Sequence, residues 1–379
     1  MSGIYIHIPF CSRFCIYCDF YSTTERNQME TFVQTLKQEI AIRSNFFKAR
    51  GTFPETIYFG GGTPSLLSPS NLQEIIEKLT EVNLVLPSHL KEVTMEVNPD
   101  DATFEYLSAL KSIGITRLSM GIQSFHDEHL KWMNRRHDSK QALTAFENAR
   151  RAGFENISLD LIFGFEKLTN ELWADNLKII AKLRPEHISA YQLSIEPDSV
   201  LGKMYDKGDY SLPDDDFCQR QYQFMQTHLA NEGYNQYEVS NFSLKGRESM
   251  HNSSYWTHEP YLGLGPAAHS FDGRERSWNV SDIQLYIDGI AKGVPSVDSE
   301  VLSKKELINE KIMLRLRVCE GLNIDEISNC MSEEELVLFK EQVLKQTNKG
   351  NLILNESGKI KIPPEKLFVS DGIIRDLLL

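Results

Sequence analysis

Hydrophobic and polar positions alternate in blocks along the first half of the chain. Ile4-Tyr5-Ile6-His7-Ile8 forms a short β-rich run. The spacing then predicts a helix from about Gln28 to Lys48, with Phe32, Leu36 and Ile40 four apart on one stripe. A second run, Thr56-Ile57-Tyr58-Phe59, precedes a helix opening near Ser70. Val93 to Val97 precedes a helix from Ala102 to Ser112, and Arg117 to Ile122 precedes helical segments reaching Ala152. Ile157 to Phe163 leads into a helix ending at Leu183, and His187 to Leu193 closes the series. Six β-then-α units in a row predict a parallel sheet with right-handed crossovers.

Polar and glycine residues stand at or near the ends of these runs. His7 follows the first, with a cysteine cluster after it, and Gly60-Gly61-Gly62-Thr63-Pro64 follows the second. Glu96 and Asn98 end the third, Gln123 follows the fourth, Asp160 lies in the fifth and Ser194 follows the sixth. Parallel barrels gather their chemistry at the carboxyl ends of the strands, where the βα loops converge. One such residue would be ordinary turn chemistry; six in succession point to a site.

Beyond residue 200 the pattern is mixed. A helix is expected from Pro213 to Asn231, then a strand-like run from Tyr234 to Phe242, then a turn-rich aromatic stretch from Met250 to Trp278. From about Glu300 two helical patterns, Lys304 to Val318 and Glu333 to Thr347, precede a hairpin of Leu352 to Leu354 and Ile360 to Ile362. The expected organisation is a barrel over 1–200, an extension over 201–299 and a winged-helix-like domain, mainly helical, over 300–379.

Composition narrows the class. The 379 residues are 41% hydrophobic and 25% charged, as in an ordinary globular protein. Acidic residues outnumber basic by 53 to 40, so the formal charge is −13. Such a surface repels phosphate backbones, and the C-terminal segment lacks a basic footprint, so no nucleic-acid partner is expected. No run approaches the roughly 20 apolar residues of a membrane span. Met1 to His7 lacks the basic start and apolar run of a secretory signal, so a cytoplasmic location is expected.

Three of the six cysteines, Cys11, Cys15 and Cys18, sit on one short stretch. Soft thiolates at this spacing select iron–sulfur clusters or zinc. Structural zinc wants four closed ligands, and His7 would reach as a fourth only with strain. Three thiolates on a four-iron cluster leave one iron open to a small molecule. Cys218, Cys319 and Cys330 read as small buried hydrophobes. His126, His129 and His137 read as surface residues.

Cys11-Ser12-Arg13-Phe14-Cys15-Ile16-Tyr17-Cys18 resembles the radical S-adenosylmethionine (SAM) signature, CxxxCxxC. Tyr5-Ile6-His7-Ile8-Pro9-Phe10, Gly60 to Pro64, Glu96-Val97-Asn98-Pro99, Gly121 to Phe125, Asn134-Arg135 and Asp160 to Gly164 are similar to the oxygen-independent coproporphyrinogen III dehydrogenase group. The resemblance implies an α/β fold, a partial (βα)6 TIM-like barrel, with a [4Fe-4S] cluster on Cys11, Cys15 and Cys18 and with bound SAM. It places Tyr5, Tyr17, Gly61, Gly62, Thr63, Glu96, Gln123, Arg135, Asp160 and Ser194 at SAM. Glycine would let the backbone approach the ligand, Tyr17 would pack beside adenine, and Arg135 would pair a carboxylate. Two alternatives stand beside this: a Glu96–Arg135 ion pair, and a helix cap at Asp160.

Two features separate the chain from those dehydrogenases. Phe20 stands where they carry a fourth cysteine, and their extension before the first strand has no counterpart. Both resemble the HemW branch, as do Gly233 to Phe242, His251-Asn252-Ser253-Ser254-Tyr255-Trp256 and Leu262 to Ser270. There the HNxxYW motif is associated with haem. His251 would supply a nitrogen, Tyr255 and Trp256 flat walls, Met250 a second ligand, and His269 is a second candidate. The resemblance implies a haem chaperone that delivers haem to acceptor haemoproteins, membrane-bound respiratory enzymes among them. It leaves a homodimer open and needs no integral membrane segment. The alternative is an oxygen-independent coproporphyrinogen III oxidase working through a 5′-deoxyadenosyl radical.

Overall fold

The computed structural model describes residues 1–295 and 297–379. Six strands lie side by side in chain order: β1 (Ser2–Ile8), β2 (Pro54–Gly61), β3 (Glu92–Val97), β4 (Arg117–Gln123), β5 (Ile157–Phe163) and β6 (His187–Gln192). Every neighbouring pair is parallel. Helices cross between them over Met29–Ile42, Pro69–Glu81, Phe104–Ser112, Asp127–Trp132, Ser139–Arg151 and Asn170–Leu183. The period of two along each strand divides the work. Ile4, Ile6, Ile57, Phe59, Met95, Leu118, Met120 and Leu159 are fully buried in the core. Tyr5, Tyr58, Glu96, Ser119, Asp160 and Ser189 alternate with them and line an interior cavity.

The first helix stops at Ile42 rather than Lys48. Beyond it the chain turns, and Phe47 is buried, meeting Phe46 edge-to-face at 5.0 Å. Most other ends agree with the pattern because side chains cap them. Ser68, Thr103, Asp138 and Thr169 each accept an amide of the first turn.

The second half differs more from expectation. Tyr234 to Phe242 splits into β7 (Asn235–Gln236) and β8 (Asn241–Ser243), an antiparallel pair in which β8 also borders β6. The stretch expected to be turn-rich holds a helix, Met250–Trp256, and strands β9 (Tyr261–Leu264), β10 (His269–Phe271) and β11 (Glu275–Asn279). With β12 (Val297–Val301) they extend the sheet past β1, giving the order β12-β11-β10-β9-β1-β2-β3-β4-β5-β6-β8-β7. β7 and β12 do not pair with one another, so the sheet forms a partial barrel and does not close. Long-range contacts that local pattern does not encode hold this extension. Glu39, fully buried on the first helix, accepts from the Gly265 amide (2.8 Å), the Asn279 amide group (2.7 Å) and the Tyr286 hydroxyl (2.7 Å). A Cβ at Gly263 would lie 2.1 Å from the His269 carbonyl oxygen, so only glycine lets β9 and β10 meet there.

The C-terminal segment carries helices Lys304–Leu316 and Glu333–Asn348, each opened by a Ser/Glu capping box. Strands β13 (Leu322–Asn323), β14 (Ile353–Leu354) and β15 (Lys359–Lys361) form a small sheet, with the expected hairpin paired at Leu354 and Ile360. Among the described residues no helix is long and apolar enough to cross a membrane.

Candidate functional site

The interior face of the six strands encloses a cavity of about 850 Å³. Its mouth lies at the carboxyl ends of the strands. There β1 runs into the cysteine loop, and all three thiols open on the cavity. Backbone bonds close the loop: the Cys11 amide donates to the Thr23 carbonyl (2.9 Å) and the Thr23 amide to that of Pro9 (2.7 Å). The glycine loop after β2 lies along it, its Gly62 and Thr63 amides donating to the Ile8 and Phe10 carbonyls. The Thr63 hydroxyl donates to the Cys11 sulfur at 3.5 Å.

Burial pushes the Cys11 thiol pKa up and that of Cys18 up to about 11, while Arg135 pulls both down. Such thiols stay protonated alone and ionise when a metal binds them. Among the described residues no three Cys, His, Asp or Glu side chains converge on one ion. A cluster that takes each thiolate on a separate iron asks only that the three share one wall.

Arg135 lies against this loop. One guanidinium nitrogen donates to the Cys15 sulfur (3.3 Å), and another to the Gly121 carbonyl (2.7 Å) and to Asn98. Burial works against its charge, but Tyr17 and Cys15 outweigh that and hold the pKa above the ordinary value. Only its buried Nε has no partner. The Glu96–Arg135 ion pair does not form. Glu96 instead accepts from the Tyr58 hydroxyl (2.8 Å). Burial, with Asp160 nearby, pushes the Glu96 pKa up to about 7, against the pull of Tyr58, the Gly61 amide and Arg117. Asp160 caps no helix: it accepts from Ser119 (3.1 Å) and Ser158 (3.1 Å), and burial raises its pKa too.

The remaining SAM candidates line the same cavity. Tyr5 holds His7 Nδ1 at 3.0 Å, Tyr17 packs against the core, and Ser194 stands exposed at the lip. Gln123 has φ +64° and Gly61 φ +109°. A Cβ on Gly61 would meet the His7 ring at 2.7 Å, and one on Gly62 the Phe10 carbonyl at 2.8 Å and the Cys11 sulfur at 3.1 Å. Bareness at Gly62 therefore serves the cysteine loop itself, in addition to any ligand.

The opposite end of the cavity is closed by the helix Met250–Trp256. Glu92 accepts the Met250 (3.0 Å) and His251 (3.1 Å) amides, fixing the helix start against β3. His251 is 2% exposed. Its Nδ1 meets the Thr56 hydroxyl at 2.8 Å, its Nε2 the Tyr255 hydroxyl at 3.0 Å, and its ring stacks on Tyr58 at 5.1 Å. Burial lowers its pKa to about 3. Expected as an iron ligand, His251 has no free ring nitrogen here, because the floor of the barrel uses both. Met250 is tied to Glu92 by its backbone. Trp256 is absent from the cavity lining, and its buried indole nitrogen has no partner. His269 lies on β10, exposed and stacked on Trp278 at 5.7 Å, also outside the lining. The structure thus unites the cysteines with the ten SAM candidates and holds His251 and Tyr255 at the far floor. Trp256 and His269 stand apart.

Other expectations need correction. His129 and His137 are buried: His129 binds the Ser124 hydroxyl (3.0 Å) and the Lys167 carbonyl, and His137 the Ile122 carbonyl. His129 lies on the buried face of the helix Asp127–Trp132, edge-on to Phe165 at 5.0 Å, and His137 lies in the turn that leads into the next helix. Cys218 is buried as expected, but Cys319 is half-buried and Cys330 exposed. Sequence reasoning missed Tyr58, Arg117 and His187, all lining the cavity. Arg117 is 2% exposed, its side chain makes no hydrogen bond or ion pair among the described residues, and it draws down the pKa of Glu96 and Asp160. The signal was present in the inward parity of their strands, but it needed the register to be read.

The Radical SAM superfamily model matches residues 5–180. The chain is 36% identical to the protein named heme chaperone HemW of Bacillus subtilis, covering 94% of this chain and 98% of that one. It is 33% identical to the HemW of Lactococcus lactis, covering 100% and 97%. The chain belongs to the HemW family. Among solved structures, coproporphyrinogen III oxidase (HemN) from Escherichia coli, described as a radical SAM enzyme, superposes with a TM-score of 0.85 over 100% of this chain and 90% of its own. At 22% identity that likeness shows the fold. Radical SAM membership implies a [4Fe-4S] cluster and SAM, and the cysteine loop, the glycine loop, Glu96 and Asp160 all fall inside the matched region. The HNxxYW helix and His269 fall outside it.

Proposed function

We propose that this chain is a haem chaperone that binds haem, holds a [4Fe-4S] cluster with SAM in its barrel, and passes haem to acceptor haemoproteins. The observation that carries the reading is end-to-end likeness to relatives named heme chaperones, which continues through the residues outside the radical SAM region. Cys11, Cys15 and Cys18 would ligate the cluster, which when bound supplies an electron and an open iron site. Arg135 would hold Cys15 and offset thiolate charge. Glu96 and Asp160 would accept hydrogen bonds from the hydroxyl or ammonium groups of SAM, with Arg117 favouring their ionised forms. Gly61 and Thr63 would leave backbone room beside SAM, and Tyr5, Tyr17, Gln123 and Ser194 would complete its walls. The acceptors we propose include membrane-bound respiratory enzymes, reached from the cytoplasm through a partner. The division into 1–200, 201–299 and 300–379 is kept as part of the proposal.

The test is anaerobic reconstitution followed by haem titration and transfer to an apo-haemoprotein. Stoichiometric binding with transfer supports the chaperone. Conversion of coproporphyrinogen III with consumption of SAM would instead support the oxidase, the reading favoured by the shared fold alone.

A further inference from the structure

The half of the cavity nearest the floor has no occupant among the cluster and SAM. Arg117 opens β4 and Gln123 closes it, so six residues of extended strand set their backbones about 20 Å apart. Arg117 lines the cavity from the floor end and is buried. Its Nε has no partner, and the guanidinium makes no hydrogen bond or ion pair among the described residues. A buried charge without a partner is costly, and its place in a cavity wall points to something that pairs it there. The neighbouring acids do not. Glu92 is spent on the Met250 and His251 amides, Glu96 on Tyr58, and Asp160 on Ser119 and Ser158. His187 joins the Ser158 hydroxyl (2.8 Å) to that of Tyr237 (2.8 Å), and burial holds the His187 and His251 rings neutral. One guanidinium fork among neutral rings and hydroxyls matches one carboxylate. A phosphate dianion would leave a charge unpaired beside Glu96 and Asp160. The carboxylate of SAM is assigned to Arg135, on the cysteine loop at the other end.

We propose that the floor half of the barrel is a second ligand site, in which Arg117 pairs with the carboxylate of a small organic acid lying between SAM and the His251 helix. The proposal rests on the placement of SAM at the cluster end. It goes beyond the haem-chaperone reading, which gives this half of the cavity no occupant.

The test titrates propionate, and separately its uncharged isostere propionamide, into the full-length reconstituted protein with and without saturating SAM, followed by ligand-observed NMR. Propionate should bind with a Kd on the order of millimolar, propionamide roughly ten-fold more weakly, and SAM affinity by calorimetry should not fall as propionate is added. Arg117→Met should weaken propionate roughly ten-fold, and Arg117→Lys, which keeps the charge and loses the fork, roughly three-fold. Iron–sulfur absorbance and the thermal midpoint are recorded for each variant. Should Arg117→Met not fold, Arg117→Lys and the wild-type comparison of acid with amide decide. Failure of the wild type to prefer propionate over propionamide, propionate affinity unchanged in the folded variant, or competition between propionate and SAM would overturn the second site. Absence of SAM binding by the wild type would overturn the placement of SAM, and the acid–amide comparison would still judge Arg117.

Discussion

The two ends of the barrel are built from the same six strands and have opposite characters. At the carboxyl ends, the thiols, the glycine loop and the exposed Phe14 and Phe20 of the cysteine loop line a mouth. At the amino ends, Gly3, Thr56 and Glu92 receive a short helix whose polar groups are nearly all spent on the protein: His251 on Thr56 and Tyr255, its amide on Glu92, and Asn252 on Tyr237. The difference teaches that a motif rich in ligand-type residues can be a plug. Whether His, Asn, Tyr and Trp bind a ligand or close a core depends on which hydrogen-bond capacity is left over.

This contrast can be broken most severely at the mouth. Cys15→Ala should abolish the broad visible iron–sulfur absorbance of reconstituted protein, and Cys330→Ala should keep it. A full-strength cluster in Cys15→Ala would refute three-thiolate ligation.

At the floor the expected loss is stability. His251→Ala removes a buried ring and leaves Thr56 and Tyr255 without their partner. It should lower unfolding free energy in denaturant titrations by about 2–4 kcal/mol while leaving the cluster spectrum in place. A cluster lost without loss of stability would make His251 part of the site.

Glu96→Gln should weaken SAM by roughly ten-fold, the scale of one charge-assisted hydrogen bond. In the wild type, Glu96 ionises as pH rises through about 7, so SAM affinity should climb from pH 6 to pH 8. Calorimetry on Glu96→Gln should show that climb flattened.

The least localised effect is graded with pH. His7 is lowered to about 4, and His137 and His251 to about 3, chiefly by burial. The unfolded chain binds protons at these sites below pH 6.5 and the folded chain does not. Stability is therefore fully present above about 6.5 and falls as the pH drops toward 4, each histidine adding a slope of about 1.4 kcal/mol per pH unit. His251→Gln should show a shallower acid slope than the wild type.

Much of this was legible in the residues. Periodicity located all six parallel strands, because a strand covered by helices shows its buried parity locally. CxxxCxxC located the cysteine loop, because ligands to one cluster must be close in the chain. Tyr58, Arg117 and His187 were not singled out, since which strand residues face one another depends on register between segments 23 to 36 residues apart. Glu39 gave no sign, because its partners Gly265, Asn279 and Tyr286 lie more than 200 residues away.

By itself, the sequence determined the βα alternation, the thiol spacing and the glycines of the mouth, all local properties of backbone and side chain. Only the tertiary structure decided that the HNxxYW helix stoppers the barrel and that Glu96 pairs with Tyr58 rather than Arg135. Burial and hydrogen-bond saturation belong to no residue alone. They are set by which distant segments exclude water from one another, and here that exclusion sealed His251 and left the aromatic mouth exposed.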